Sequence, residues 1–143
     1  MIQTLVSHHV ALTSTLAVFD AMVPARPQLT ARMLETLSHD AALSYLAAKE
    51  RTSAAHSVRP LAQLKKEMAF ERAFVAAGGL LMAGCDPTGN GGALPGFGDE
   101  RNLELLVEAG FTPEQAIQIY TFNGAQYLES GWQHWINREG EAS

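Results

Sequence analysis

The sequence predicts a helix-rich α/β fold in which two buried parallel strands are connected by helices. Two runs, Val10–Phe19 and Leu80–Ala83, have the apolar or β-branched composition of strands covered on both faces. Helical patterns occupy most of the chain between and after these runs, and strands that alternate with helices pair in parallel. The 143 residues correspond to about one domain, placed at residues 1–130. The charged, aperiodic residues 131–143 form a tail that we expect to be poorly ordered.

Composition and charge argue against two classes of partner. The formal net charge is −5 and there is no basic patch interleaved with aromatics, so we expect no nucleic-acid partner. No apolar run approaches the roughly 18–20 residues of a membrane span, so we expect no membrane partner. The N-terminus lacks the cationic start of a signal peptide, and a single cysteine fits a reducing compartment. We therefore expect this chain to be cytoplasmic, although a full-length parent could be exported.

The first strand lies near the N-terminus. Residues 2–8 fit the last turns of a helix, and the β-branched run Val10–Phe19 then predicts a strand ending at Asp20. A helical pattern covers Gln28–Glu50 and is split near Ser38, a suitable N-cap for the second of the two helices.

A polar segment and a long helix lead to the second strand. Arg51–Arg59 is expected to be a surface loop, and Pro60 stands where helices commonly begin. The helix that follows is apolar on two sides, so we expect the sheet to pack against one side and a neighbouring segment against the other. Gly78 and Gly79 end this helix, since glycine adopts the left-handed conformation at low cost.

The second strand leads into the stretch that carries the candidate chemistry. The apolar run Leu80–Ala83 continues to Asp86, so the strand delivers one carboxylate to its C-terminal tip. Chemistry in parallel α/β folds takes place at such tips. A glycine-rich loop follows Asp86, and Arg101–Ala109 then reads as a short helix ended by Gly110.

The clearest local signal is the start of the last helix. Thr112 is the predicted cap, Pro113 takes the first helical position, and Gln115 completes a capping box. The helix is expected to place Ile117 inward and to run to about Leu128.

Asp86 is the leading candidate for a functional residue. It is interpreted either as a metal ligand or general base at the strand tip, or as a carboxylate that caps the amides of an Asp-Pro turn. Thr88 and Asn90 in the following loop are candidate substrate contacts, and the alternative is a plain flexible lid. Cys85 should point to the opposite face from Asp86, as a buried and unreactive thiol. The five histidines show no metal-binding spacing and are interpreted as surface or hydrogen-bonded residues.

Two strands alone do not make a stable open sheet. Either further strands lie in segments interpreted as helical, or the chain is part of a larger barrel. Three motifs bear on this choice. They read GLLMAGCDPTG at 79–89, ELLVEAGFTPEQAI at 104–117 and TFNGAQYL at 121–128. In residues, order and spacing they resemble the end of the barrel in the metal-dependent amidohydrolase superfamily, in its imidazolonepropionase- and prolidase-like branch. Val10–Phe19 is similar to the preceding barrel strand.

The resemblance implies a partial (β/α)₈ TIM barrel, of which this chain would form the last two strands and their helices. It implies that Asp86 binds a divalent metal, usually zinc, and takes the proton of the attacking water. The implied reaction is hydrolysis of an amide or other C–N bond in a small amide or peptide-like substrate. A metal lowers the pKa of bound water toward neutrality, and a carboxylate can then accept its proton.

The sequence also departs from that family. Its His-x-His motif, its bridging lysine or glutamate and its two later histidines would lie before Met1, and none occurs here. The family's G-x-I-x-x-G-K-x-A-D segment is replaced by residues 131–136. The main hypothesis is therefore a fragment of a metal-dependent amidohydrolase, inactive alone and able to self-associate through exposed barrel edges. The alternative is a non-catalytic remnant, or a stand-alone α/β interaction domain without the metal site.

Overall fold

The fold is built on a pair of short parallel strands with helices packed against them. The computed structural model describes residues 1–26, 30–54, 58–87 and 92–129. In these ranges the chain is a helix-rich α/β structure, which confirms the coarse prediction from sequence. The elements are α1 (Ile2–Ser7), β1 (Leu12–Ser14), α2 (Leu16–Ala21), α3 (Ala31–Glu35), α4 (His39–Ala54), α5 (Arg59–Ala76), β2 (Leu81–Ala83), α6 (Phe97–Glu108) and α7 (Pro113–Tyr120).

The two strands pair in parallel, as predicted, with Thr13 opposite Met82 in the register. Because side chains alternate along a strand, the two faces of this sheet differ. Ser14 and Leu81 are buried on the face toward the helices. Thr13 is exposed on the other face, and Met82 is half-buried there. The helices of the described ranges therefore cover mainly one face of the sheet.

The prediction of a strand over Val10–Phe19 is wrong in length. Only Leu12–Ser14 is extended, and α2 follows after one residue. The buried side-chain oxygen Oδ1 of Asn102 accepts a hydrogen bond from the Ala17 amide at 2.8 Å. This bond satisfies one of the amides that the first turn of a helix leaves unpaired, so it favours helix over continued strand. Asp20 accordingly lies inside a helix rather than at a strand end.

The connection between the strands contains more helix than predicted. The segment Arg51–Arg59 was expected to be a loop, but α4 continues to Ala54 and α5 begins at Arg59; residues 55–57 lie outside the described ranges. Three helix-end predictions are confirmed. Ser38 Oγ accepts the amide of Ala41 at 3.3 Å, a proline stands in the first turn of α5, and Gly78 follows α5 with φ of +89°.

The second strand is also shorter than predicted. β2 ends at Ala83, so Asp86 lies three residues beyond it. The helix expected at Arg101–Ala109 begins earlier, at Phe97, and ends at Glu108. The earlier end of β2 lengthens the connection between strand and helix, and the earlier start of α6 shortens it; the connection runs over residues 84–96.

The capping box of α7 is confirmed in both directions. Thr112 Oγ1 accepts the amide of Gln115 at 3.3 Å, and Gln115 Oε1 accepts the amide of Thr112 at 2.9 Å. The inward orientation expected for Ile117 is wrong, since this side chain is 53% exposed and Ile119 faces the core instead. α7 ends at Tyr120, and helical backbone resumes over 122–129. The predicted tail lies outside the described residues.

The interior is formed by residues from both β–α units. α2 packs against α5 and α6, and α7 packs against β2 and α6. Helix α5, which connects the strands, also contacts β2. The largest fully buried apolar side chains are Leu16, Leu64, Phe74, Leu81, Leu105 and Leu106.

Candidate functional site

Asp86 occupies an exposed position just past the C-terminal end of β2. Since the strands are parallel, this is the sheet edge at which β1 also ends, at Ser14. The backbone of Asp86 has φ of +43°, in the left-handed region that side chains other than glycine seldom adopt. Such conformations persist only where the surrounding structure holds them, and they are frequent at functional sites. The other two predicted site residues, Thr88 and Asn90, lie outside the described ranges.

A single carboxylate closes the base of the loop that follows Asp86. Asp99, in the first turn of α6, accepts the Cys85 amide on Oδ1 at 3.3 Å and the Gly96 amide on Oδ2 at 3.1 Å. The Tyr120 hydroxyl donates to Oδ1 at 2.7 Å. The two ends of the loop are thereby joined to each other and to α7.

These contacts change the acid–base chemistry of the groups. Partial burial opposes ionisation of Asp99, but hydrogen bonds from Tyr120, Cys85 and Gly96 outweigh it and lower the pKa of this carboxyl below its ordinary value. Burial, with the neighbouring Asp99, raises the pKa of the Cys85 thiol to about 11. The same two causes raise the pKa of Tyr120. At neutral pH Asp99 is therefore a hydrogen-bond acceptor, and Cys85 is the buried neutral thiol that the sequence predicted.

A second charged group is centred on Asp20 in α2. Asp20 is 0% exposed and receives Arg26 Nε on Oδ1 at 2.6 Å and Arg101 Nε on Oδ2 at 3.0 Å. Arg26 also holds Glu108 through two hydrogen bonds of 2.6 and 3.0 Å, and Arg101 holds Glu104 at 2.6 Å. Buried charges require such pairing, so this network fixes α2, α6 and the segment after α2 relative to one another.

A cavity of about 780 Å³ opens beside this network. Its walls come from α2, α6 and the segments around them, all of which follow the C-terminal ends of the two strands. They combine apolar surface from Met33, Leu94 and Phe97 with the guanidinium groups of Arg26 and Arg101. The volume falls within the range of small-molecule sites, and its position is the one where parallel α/β folds bind ligands.

The described residues do not make a complete metal site. Within 1–26, 30–54, 58–87 and 92–129, no three His, Cys, Asp or Glu side chains are grouped so that they could hold a metal ion. A catalytic zinc site needs about three protein ligands and a water. Asp86 would supply one carboxylate, so the residues present do not fit a resident metal by themselves.

Several residues that shape this region were not singled out from the sequence. Asp20 and Asn102 are fully buried polar residues, and each has a partner more than 80 positions away, Arg101 for Asp20 and Ala17 for Asn102. Only the fold brings these pairs together. Asp99 carried a partial signal, because acids in the first turn of a helix commonly accept local amides. Its further contact with Tyr120 had no signature in the pattern.

Comparisons with protein-family models, curated proteins and solved structures give no match to this chain. Within the described residues, none of the helices combines the length and the apolar content needed to cross a bilayer.

Proposed function

We propose that this chain is the C-terminal barrel portion of a metal-dependent hydrolase that acts on amide or other C–N bonds. The observation that carries the proposal is the placement of Asp86. It lies just beyond two paired parallel strands, at their C-terminal edge, in a left-handed conformation. The resemblance of the sequence motifs to the amidohydrolase superfamily supplies the reaction, and the proposal rests on that resemblance for its chemistry.

In this proposal Asp86 is both a metal ligand and the acceptor of the proton from the attacking water. A carboxylate on an exposed loop start is accessible to substrate and solvent, as both roles require. Thr88 and Asn90, two and four positions further along the loop, are the proposed substrate contacts. The cavity beside Arg26 and Arg101 is the proposed location for part of a small amide or peptide-like substrate.

The proposed metal is divalent, with zinc the leading candidate. The described residues supply a single candidate ligand, and the proposal follows the family resemblance in placing the other ligands in protein upstream of this chain. Zinc would supply Lewis-acid activation of water when bound. We expect the chain alone to be inactive for the same reason.

The sheet itself supports a partial (β/α)₈ barrel. Thr13 and Met82 lie on a face that the helices cover little, as the inward face of a barrel strand pair would. An isolated two-strand sheet also leaves strand edges able to pair. We therefore propose that the chain alone self-associates, which sedimentation velocity over a range of concentrations measures directly; a compact monomer at all of them would reject this.

One contact favours the alternative, a stand-alone α/β interaction domain that lacks the chemistry. Alternate residues of β2 point their backbone groups toward β1, with Leu80 accepting from Leu12 and Gly84 donating to Ser14. Leu81 therefore turns its carbonyl to the outer edge, where Asn123 Nδ2 donates to it at 2.7 Å. A side chain that satisfies an edge carbonyl protects the edge instead of leaving it for a further strand.

The deciding experiment uses the chain joined to the protein encoded upstream of it. Turnover, metal content and melting temperature are measured together for the parent, Asp86→Asn and the control Asp40→Asn, an exposed acid in the first turn of α4. Asn keeps the shape of Asp86 but removes its charge, so turnover should fall by the roughly 10²–10⁴-fold that general-base catalysis contributes. Asp40→Asn should leave turnover unchanged.

Near-parental turnover of Asp86→Asn at full metal loading would reject the catalytic role. The isolated chain is assayed in parallel with zinc, manganese or cobalt against dipeptides and acylated amino acids. Metal-dependent turnover by it that survives repurification would show that no ligands from outside the chain are needed.

A further inference from the structure

The two ends of the loop that begins at Asp86 are joined by the carboxylate of one residue, Asp99. The Cys85 amide, at the end of the extended segment, and the Gly96 amide, at the start of α6, both donate to Asp99. They use different oxygens of the same side chain, Oδ1 and Oδ2. The separation of the loop ends is therefore set by the width of one carboxylate group, and Asp86 is the first residue inside the closed loop.

The carboxylate is itself held from a second direction. Tyr120, the last residue of α7, donates its hydroxyl to Oδ1 at 2.7 Å, a short bond of the kind that charged acceptors form. The backbone on both sides of the contact is closely packed. A Cβ at Gly98 would approach Cys85 Cβ to 3.0 Å, so α6 lies as near the end of β2 as a residue without a side chain permits. Asp99 thus has little freedom to release either amide.

Asp86 needs such restraint. Its φ of +43° is unfavourable for a residue with a side chain, and in a free loop the backbone would relax to negative φ. Cys85 directly precedes Asp86 in the chain. Its amide is fixed by Asp99, and its side chain is buried. The restraint on Asp86 is thereby transmitted through one peptide bond.

We propose that Asp99, held by Tyr120, is the positioning residue of the candidate site: its carboxylate joins Cys85 to Gly96 and so fixes the backbone of Asp86. The inference rests on the proposed function only in treating Asp86 as the reactive group. The structural part of it, one carboxylate shared by two amides eleven positions apart on the strand and helix sides of the loop, is independent of metal, substrate and turnover.

The test is a pH titration of the isotope-labelled chain followed by amide NMR. A shared acceptor makes the Cys85 and Gly96 amide resonances move together, with one midpoint below the ordinary Asp pKa of about 3.9. Asp99→Asn should abolish this titration at Gly96. Tyr120→Phe keeps the carboxylate and removes one donor to its charged form, so both amides should still titrate together, with a higher midpoint.

The effect on Asp86 is read from its ¹³Cα and ¹³Cβ shifts, which report backbone conformation. They should move toward random-coil values in Asp99→Asn. The matched control is Glu100→Gln, which removes the same charge from the same helical turn at an exposed side chain. It should preserve both the shared titration and the Asp86 shifts.

Separate midpoints for Cys85 and Gly96 in the parent chain, or a Gly96 titration that survives Asp99→Asn, would overturn the shared carboxylate. Unchanged Asp86 shifts in Asp99→Asn would overturn the positioning role. If Asp99→Asn unfolds, the midpoint shift in Tyr120→Phe decides alone, since a purely structural hydroxyl would leave that midpoint where it was. None of these readouts depends on catalysis, so they can fail while the proposed hydrolase function stands, and the reverse.

Discussion

Asn123 donates a hydrogen bond from its side-chain amide to the backbone carbonyl of Leu81, over 2.7 Å and 42 positions of sequence. The bond ties the residues after α7 to the outer edge of β2. It also gives a physical reason for an asparagine in the TFNGAQYL motif, since a short side chain with an amide donor reaches the strand edge. Substitution of Asn123 should therefore destabilise the sheet.

Asn123→Ala is expected to destabilise the chain by about 1–2 kcal/mol, because the Leu81 carbonyl loses its partner at a partly buried position. Urea unfolding measures the free-energy change. Gln118→Ala, at an exposed position on α7, is the control and should change stability by less than about 0.5 kcal/mol. Equal effects of the two substitutions would mean that the Asn123 bond contributes nothing specific.

The charge on Asp20 should matter more than any surface pair around it. Asp20→Asn leaves Arg26 and Arg101 without the buried carboxylate that both contact, so we expect a loss of about 3 kcal/mol of unfolding free energy. Glu104→Gln removes a 60% exposed partner of Arg101 and should cost less than about 1 kcal/mol. A similar cost for both would show that burial of the Asp20 charge is not what stabilises the network.

Glu71 predicts an unusual dependence of stability on pH. This α5 side chain is 8% exposed, and its Oε2 has no hydrogen-bond partner among the described residues. Burial raises the pKa of Glu71 to about 7; a hydrogen bond with Ser14 opposes the shift and the charge of Glu67 adds to it. The folded state therefore holds this proton at pH values where the unfolded chain has released it. The stabilising contribution is complete below the unfolded pKa near 4.5 and is lost as pH rises to about 7.

In the unsubstituted chain, ionisation of Glu71 should reduce the free energy of unfolding by about 3 kcal/mol between pH 4.5 and pH 7.5. Glu71→Gln should remove that part of the slope and should stabilise the chain at pH 7.5, where the parent must ionise a buried acid. Urea unfolding at several pH values gives the comparison, with Glu50→Gln on the exposed side of α4 as the control. A slope that persists in Glu71→Gln would assign the pH dependence to another group.

Cys85 is the only cysteine, so thiol labelling reports one site without ambiguity. Burial and the neighbouring Asp99 raise the pKa of the Cys85 thiol to about 11. The rate of alkylation of the native chain should therefore be low at pH 8 and should still increase above pH 10. The labelling rate in the presence of denaturant provides the unfolded reference. A native pH profile with a midpoint near 8.5 would place Cys85 in solvent rather than beneath α6.

The predictions from sequence succeeded where the determining contacts are local. The capping box at Thr112 and Gln115 involves residues three positions apart, and both hydrogen bonds formed as the pattern required. The glycine after α5 is a similar case. At Val10–Phe19 the β-branched residues favoured a strand, but the hydrogen bond that the Ala17 amide donates to Asn102 and the burial of Leu16 favoured helix from Leu16 onward. Tertiary contacts of this kind override local preference.

The candidate site divides in the same way. Asp86 could be named from its place after an apolar run and before a glycine-rich loop. The residues proposed to hold it could not, because Asp99 reaches the Cys85 amide from α6 and is itself held by Tyr120 from another helix. The Asp20 network was missed for a further reason: Asp20 was expected at a strand end, and its partner Arg101 lies 81 positions away in the sequence.

The buried amide of Asn102 has a consequence for how this chain can be divided. It bonds to the Ala17 amide and to Ser14, both more than 80 positions earlier, and so fastens the β1–α2 unit to α6. The interior is likewise shared, with Leu16 from the first unit beside Leu105 from the second. Among the described residues of 1–54, only Leu16, Ala17 and Val23 belong to this buried cluster, so residues 1–54 lack an interior of their own. Expressed alone, residues 1–54 should remain unfolded, and mixing them with residues 58–129 should restore the β1–α6 contacts, so a division between α4 and α5 suits fragment complementation.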